Sequence, residues 1–254
     1  MSITLKQFTE TANVGDAIGS RIVEAITGRT VRIVGEEPQT VPNLIGIGSI
    51  AHWSDPNSVL WGCGLIAAHL EVRAPAAVLA VRGKLTRDEL SARGIRCGDL
   101  LGDAGLLLPD LIPPAAAVHD LGLVPHYVDR DDDFVASARS TGIPIVDVLA
   151  SPEDYVAQLT SCRRILSSSL HGVVFAHAYG IEAAWVRISD RVHGDGFKFY
   201  DYYSSLGVAA SDVPALWPAI RLERMTEACW RPDTLPDRDT LRRVLVDNAA
   251  RLDV

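Results

Sequence analysis

The stretch Ser167 to Gly180, SSSLHGVVFAHAYG, constrains the fold more than any other part of the chain. An apolar run with two arginines, Arg163-Arg164-Ile165-Leu166, precedes it and predicts a short buried strand. Leu170, Val173, Val174 and Ala178 then recur at helical spacing. The serines ahead of that run are N-cap candidates, because a hydroxyl accepts a bond from the free N–H groups of a helix start. Gly180 is placed to end the helix, and Ala183 to Ile188 predicts the next strand. A unit of strand, polar turn, helix and strand belongs to parallel α/β sheets. It puts His171 in the first turn of a helix at the carboxyl end of a strand. Such sheets bind ligands there, and helix N-termini attract anions there.

The same pattern runs through the chain. Ile3 to Phe8 predicts a strand, Asn13-Val14-Gly15-Asp16 a polar turn, and Ala17 to Ile26 a helix. Asn13 and Asp16 can cap the helix or bind a ligand, and Gly15 lets the backbone turn or come close to one. Val31 to Val34, Leu44 to Ile50, Val59 to Gly64 and Ala76 to Val81 predict further strands. The last ends at Arg82-Gly83, with Thr86 as the cap of a helix from Arg87 to Arg93. Arg82 then lies at a strand's carboxyl end, where a guanidinium either clamps a carboxylate or phosphate or makes a plain ion pair. Gly102-Asp103-Ala104-Gly105 reads as a turn. The adjacent Pro113 and Pro114 mark a boundary between residues 1–114 and 115–254.

Beyond it, Val118 to Tyr127, which carries His126, and Ile143 to Val148 predict strands, and Ser137 to Gly142 closes a short helix. Ser151-Pro152-Glu153-Asp154 is a helix start: a cap, proline in the first turn, then acids. After the Ser167 unit come His193-Gly194-Asp195-Gly196, a helix from Lys198 closed by Gly207, and a polar helix from Arg238 to Leu252. Strands and helices alternate in both halves. The expectation is an α/β protein of two units with largely parallel sheets and a ligand cleft between them.

Composition narrows the function classes. A net charge of -8 and a pI near 5.3 argue against general binding to nucleic acid or acidic membranes. No apolar run approaches the roughly 20 residues of a membrane helix. The N-terminal MSITLKQFTETANVGD lacks the apolar core of a secretory signal. The four cysteines form no CxxC pair and read as reduced thiols of a cytosolic protein. Asp131 to Asp133 reads as a solvated acidic turn.

In this order the turns resemble the polysaccharide pyruvyl transferase family. The matching residues are Asn13 to Asp16, Gly62-Cys63-Gly64, Val81 to Thr86, Gly102 to Leu108, Val124-Pro125-His126-Tyr127, Ser168 to Gly172, Ala176 to Ile181, and Lys198-Phe199 through Gly207. The resemblance is closest to bacterial exopolysaccharide ketal pyruvyltransferases. It implies a GT-B-like fold, two Rossmann-like domains facing across a cleft. It also implies phosphoenolpyruvate as donor, a pair of sugar hydroxyls as acceptor, and a pyruvate ketal as product. The acceptor would be a glycan or lipid-linked oligosaccharide met at the cytoplasmic face of the membrane. That setting implies a cytoplasmic protein with at most peripheral membrane association; the acidic charge argues against a nucleic-acid partner, and nothing in the residues calls for a metal or a cofactor beyond the donor. Two departures stand out: many members carry arginine where this chain has Ser169, and the chain is short for the family.

The donor's carboxylate and phosphate call for cations and N–H donors. Arg82 and Lys198 are the candidate cations. The helix start at Ser168, Ser169, Leu170, His171 and Gly172 offers amides and fixed positive potential. Ketal formation needs a proton delivered to the methylene carbon, hydroxyl attack at the neighbouring carbon, and loss of phosphate. His171 is assigned as general acid or donor anchor, and Asp16 as base on the acceptor. Asn13, Gly15, His126 and His193 are secondary candidates, while His177, deeper in its helix, reads as packing. Two other readings predict different behaviour. A GT-B glycosyltransferase would bind a nucleotide sugar, and a non-catalytic relative would bind glycan or phosphate without turnover.

Overall fold

The computed structural model describes the whole chain except residues 12, 215, 219–221 and 254 and the side chains of residues 222 and 223. Five strands, β1 (Ser2–Lys6), β2 (Thr30–Val34), β3 (Asn43–Ile45), β4 (Ser58–Cys63) and β5 (Ala77–Val81), form one sheet in the order β2-β1-β3-β4-β5. Every pairing in it is parallel. Helix α1 (Val14–Thr27) follows β1, and α2 (Lys84–Ser91) follows β5. The strand order reverses between β1 and β3, and in open parallel sheets the crevice beyond such a reversal is where ligands bind.

The second sheet is smaller. β6 (Gly122–Val124), β7 (Arg164–Ser167) and β8 (Glu182–Trp185) pair in parallel in that order. Between β6 and β7 come α3 (Asp133–Ser140) and α4 (Pro152–Thr160). α5 (Leu170–Ala178) joins β7 to β8, and α6 (Phe197–Ser205), α7 (Leu222–Glu227) and α8 (Arg238–Asn248) complete the chain. The mixed α/β architecture with parallel sheets is as expected. Among the described residues no helix is long and apolar enough to cross a membrane.

Several local expectations need correction. The strand expected from Val118 to Tyr127 shrinks to β6, because Pro125 has no N–H to continue the ladder. The strand expected from Ile143 to Val148 is a single parallel bridge, Leu123 to Ile145, beside Pro144. Thr86 does not cap α2, which already begins at Lys84 behind Gly83. The Thr86 hydroxyl is drawn instead to the Asp201 carboxylate, 2.7 Å away. Ser169 occupies the N-cap position of α5 but makes no side-chain cap bond.

One buried core runs through both sheets. It includes Ile18 and Ile22 of α1, Leu106, Leu107 and Leu108, and Val173, Val174 and Phe175 of α5. Burying each of these side chains contributes about 1.5–3 kcal/mol. The three leucines lie on a 3₁₀ helix, Ala104–Asp110, that packs against both α1 and α5. α8 returns to the first sheet, packing on α1, β4 and β5, and the Trp61 indole N–H donates to the Leu241 carbonyl at 2.8 Å. The four cysteines are free thiols.

Candidate functional site

Loops from both sheets meet at one cavity of about 120 Å³, well above the roughly 10–15 Å³ that one water needs. The first sheet contributes Phe8, Asn13, Gly15 and Asp16 from the β1–α1 turn and Ser49 and Ile50 from beyond β3. These two loops flank the strand-order reversal, so the cavity lies where the topology directs a ligand. The second sheet contributes His126 and Tyr127 from beyond β6 and Ser169, Leu170 and His171 from the start of α5. Ile66, Val148, Tyr155 and Lys198 of α6 complete the lining.

Two helix starts therefore face the same space. At α1, the Asn13 side chain accepts from the Asp16 N–H at 3.2 Å, and its amide donates to Asp16 Oδ2 at 2.6 Å. At α5 the first N–H groups lack intrahelical acceptors, as at any helix start, and the Ser169 hydroxyl does not take them up. The two starts touch through Gly15. A Cβ there would stand 2.3 Å from His171 Nδ1 and 2.8 Å from its Cγ. On its other face the imidazole stacks on Phe175, ring centroids 5.2 Å apart. Gly15→Ala is therefore expected to push the ring out of place. A displacement of about 1 Å can cost on the order of 100-fold in rate, so kcat should fall by about that factor while the fold persists. Steady-state kinetics alongside circular dichroism checks this.

The titrating groups are strongly perturbed. Burial raises the Asp16 carboxyl to about 6, against the opposing bond from Asn13 and the charge of Lys198. Burial also lowers Lys198 to about 8; the Arg82 charge adds to this, while Asp16 and Asp129 oppose it. His171 falls to about 3 through burial and the positive field of Arg82 and Lys198. His126 falls to about 3 for the same kind of reason. At neutral pH the cavity is thus lined by an ammonium, an aspartate and two neutral imidazoles.

Some expected site residues stand behind the cavity. Arg82 is fully buried: its Nε donates to Asp201 Oδ2 at 2.9 Å, its Nη2 to the Leu65 carbonyl at 2.7 Å, and its Nη1 to Ser49 Oγ at 2.8 Å. It reaches the lining only through Ser49. Ser168 is also buried, accepting from the His126 N–H at 2.9 Å and donating to Asp129 Oδ2 at 2.7 Å, which fixes the His126 loop. Gly172 gives room to Ser167, whose Oγ would lie 2.2 Å from a Cβ there. His193 lines a different groove with Ala67, Ala68, Phe197 and Tyr200. His177 is buried between the Tyr202 hydroxyl and the Trp230 carbonyl, 3.1 Å from each.

Lys198, by contrast, is buried with its ammonium at the cavity wall, and it makes no salt bridge among the described residues. The sequence reading missed Phe8 and Ser49. The position of Ser49 just past β3 was the available signal, once the strand order is known.

The sequence model of the family described as polysaccharide pyruvyl transferase matches residues 59–190, from β4 to just beyond β8. The chain belongs to the polysaccharide pyruvyl transferase family. One relative, "Uncharacterized protein L143" of Acanthamoeba polyphaga mimivirus, is 32% identical over 217 residues, covering 81% of this chain and 75% of the relative. The family match takes in Arg82, His126 and the α5 start. Asn13 to Asp16 and Lys198 lie outside it, and the fold brings them to the same cavity.

Proposed function

We propose that this family member transfers the enolpyruvyl carbons of phosphoenolpyruvate to two hydroxyls of a glycan or lipid-linked oligosaccharide, forming a pyruvate ketal and releasing phosphate. The observation that carries the reading is a cavity with two helix starts and a buried ammonium, built for a small polyanion. Lys198 and the α5 start hold the donor's phosphate and carboxylate, with Lys198 serving as cation beside Ser169. Phe8 and Tyr127 give the wall an apolar face for a sugar ring. The two parallel sheets converging on one cavity support a GT-B-like arrangement. Its first unit is residues 1–114, with α8 folded back onto it, and the second is the remainder.

In the reaction, His171 delivers a proton to the methylene carbon, turning it into a methyl group. The donor's negative charge offsets the field of Arg82 and Lys198, so the imidazole binds a proton more readily with donor present than without. One acceptor hydroxyl forms a C–O bond to the central carbon as its proton passes to Asp16. The C–O bond to phosphate breaks and the second hydroxyl closes the ketal, its proton leaving with phosphate. The proton held by Asp16 then returns to His171, so that over the full cycle the two hydroxyl protons account for the new methyl hydrogen and the protonated phosphate. The step thus needs no oxidant or further reactant.

As a base Asp16 must be ionised, so activity is lost as pH falls through about 6; as a cation Lys198 must be protonated, so activity is lost as pH rises through about 8. Affinity for phosphoenolpyruvate is accordingly expected to fall as pH rises through about 8, and acceptor attack to slow as pH falls through about 6. A profile flat from about pH 5 to about pH 9 would contradict these assignments. The reaction itself is tested by following phosphate release from phosphoenolpyruvate with and without acceptor glycan. Release is expected only with acceptor, accompanied by pyruvate bound to the glycan; equal release in its absence overturns the reading.

A further inference from the structure

Two buried polar atoms beneath the cavity face each other without a partner. Asp103 is completely buried, and its Oδ1 caps the 3₁₀ helix by accepting from the Gly105 N–H at 2.8 Å. Its Oδ2 has no hydrogen-bond partner among the described residues, and neither does His171 Nε2; the two atoms stand 3.8 Å apart. Leaving either group unsatisfied is costly in a site shielded from water. The imidazole is confined by Gly15 on one side and Phe175 on the other. The 3₁₀ helix that carries Asp103 packs directly on α5, which carries His171. The separation is slightly too long for a hydrogen bond, and catalytic hydrogen bonds of this kind tighten when substrate binds.

We infer that Asp103 is the positioning residue of His171, accepting its Nε2–H and so turning Nδ1 to the substrate. The inference rests on the pyruvyl-transfer reading for its kinetic part and on geometry alone for the tautomer. A carboxylate oxygen can only accept, so the proton of the neutral ring sits on Nε2 and Nδ1 is left with a lone pair. When the donor binds, the proton that His171 takes up goes to Nδ1, the nitrogen beside Gly15 and the cavity. Asp103 then lies against the opposite edge of the imidazolium and supports its charge. Asp103 reaches the reaction only through His171. It differs in this from Asp16, which lines the cavity itself.

The charges around the pair come from several elements. Arg82, Lys198 and His126 act on the ring, and all three disfavour its charged form. Burial raises the Asp103 carboxyl to about 6, with Asp201 and Asp16 adding to this and Arg82 and the Gly105 N–H opposing it, so at neutral pH it is a carboxylate. Asp103 is thus the carboxylate 3.8 Å from His171 Nε2, set against positive groups that disfavour the ring's charged form.

Asp103→Asn tests the inference, because it keeps the shape and reverses the polarity. The Gly105 N–H holds the amide oxygen, so the amide NH₂ faces Nε2 and can only donate. The ring must then carry its proton on Nδ1. Nitrogen NMR shifts of the His171 ring in the wild type, alone and with inorganic phosphate, are expected to show the Nε2–H tautomer. The variant should show the Nδ1–H tautomer. With donor and acceptor, the variant is expected to lose at least about ten-fold in kcat. In the donor complex, where His171 must carry its proton, the fall of kcat with rising pH should set in at lower pH in the variant, a shift that a loss of packing alone would not produce. An Nδ1–H tautomer in the wild type overturns the inference even if the variant fails to fold. So does a folded variant with unchanged tautomer and kcat. Failure of phosphoenolpyruvate to react leaves the tautomer result standing and counts against the transfer reading alone.

Discussion

His171→Ala is expected to lower kcat for pyruvyl transfer by roughly 10²–10⁴-fold, the usual contribution of a positioned general acid or base. The imidazole lines the cavity at the start of α5, is stacked on Phe175, and has Asp103 behind it. Truncation removes the proton donor and leaves Lys198 and the helix starts in place. The loss should therefore fall on kcat, with much less change in the affinity for phosphoenolpyruvate. Rapid-quench measurement of phosphate release, with donor binding measured separately, separates the two. A variant with wild-type kcat would remove His171 from the chemistry.

Arg82→Ala is expected to fail for a different reason. Arg82 and Asp201 form an ion pair with both side chains fully buried. Removing one partner of such a pair costs about 3–5 kcal/mol, because the other charge is left in a medium that does not solvate it. For a chain of this size that corresponds to a fall in Tm on the order of 10 °C. Asp201 also accepts from the Thr86 N–H at 2.8 Å, and Gly83 approaches its carbonyl so closely that a Cβ there would collide at 1.8 Å. The network therefore clamps the β5–α2 turn onto α6, the helix that carries Lys198. Adding Asp201→Asn to the Arg82→Ala variant should recover part of the lost stability, since it removes the stranded charge. An unchanged Tm in Arg82→Ala would contradict this account. Inactivity of that variant alone says little about donor binding.

The strands, the helix starts and the alternation that makes parallel sheets were legible in the sequence, because apolar periodicity and capping residues act locally. Asn13, Gly15, Asp16, His126, Ser169, Leu170, His171 and Lys198 were all singled out from their turns, and the fold collects them at one cavity. What the sequence hid depends on long-range pairing. Arg82 has the credentials of an anion clamp at a strand end, yet its partner lies 119 residues away on α6 and ties it into the core. Asp103 reads as an ordinary turn residue, and only the packing of the 3₁₀ helix on α5 brings it to His171. Lys198 is legible as a candidate cation, but its burial beside Phe199 is not. Thr86 looked like a cap because a threonine preceded a charged helical run, and its hydroxyl was claimed by Asp201 instead.

The most direct test of the account is the melting temperature in the presence of phosphoenolpyruvate compared with a panel of nucleotide sugars. A ligand that binds only the folded state at about 100 times its Kd adds about 2.7 kcal/mol, or roughly 5–10 °C for a chain of this length. The cavity with its two helix starts and the Lys198 ammonium predicts that phosphoenolpyruvate gives this rise and that Lys198→Met abolishes most of it. A rise with a nucleotide sugar and none with phosphoenolpyruvate would contradict the account.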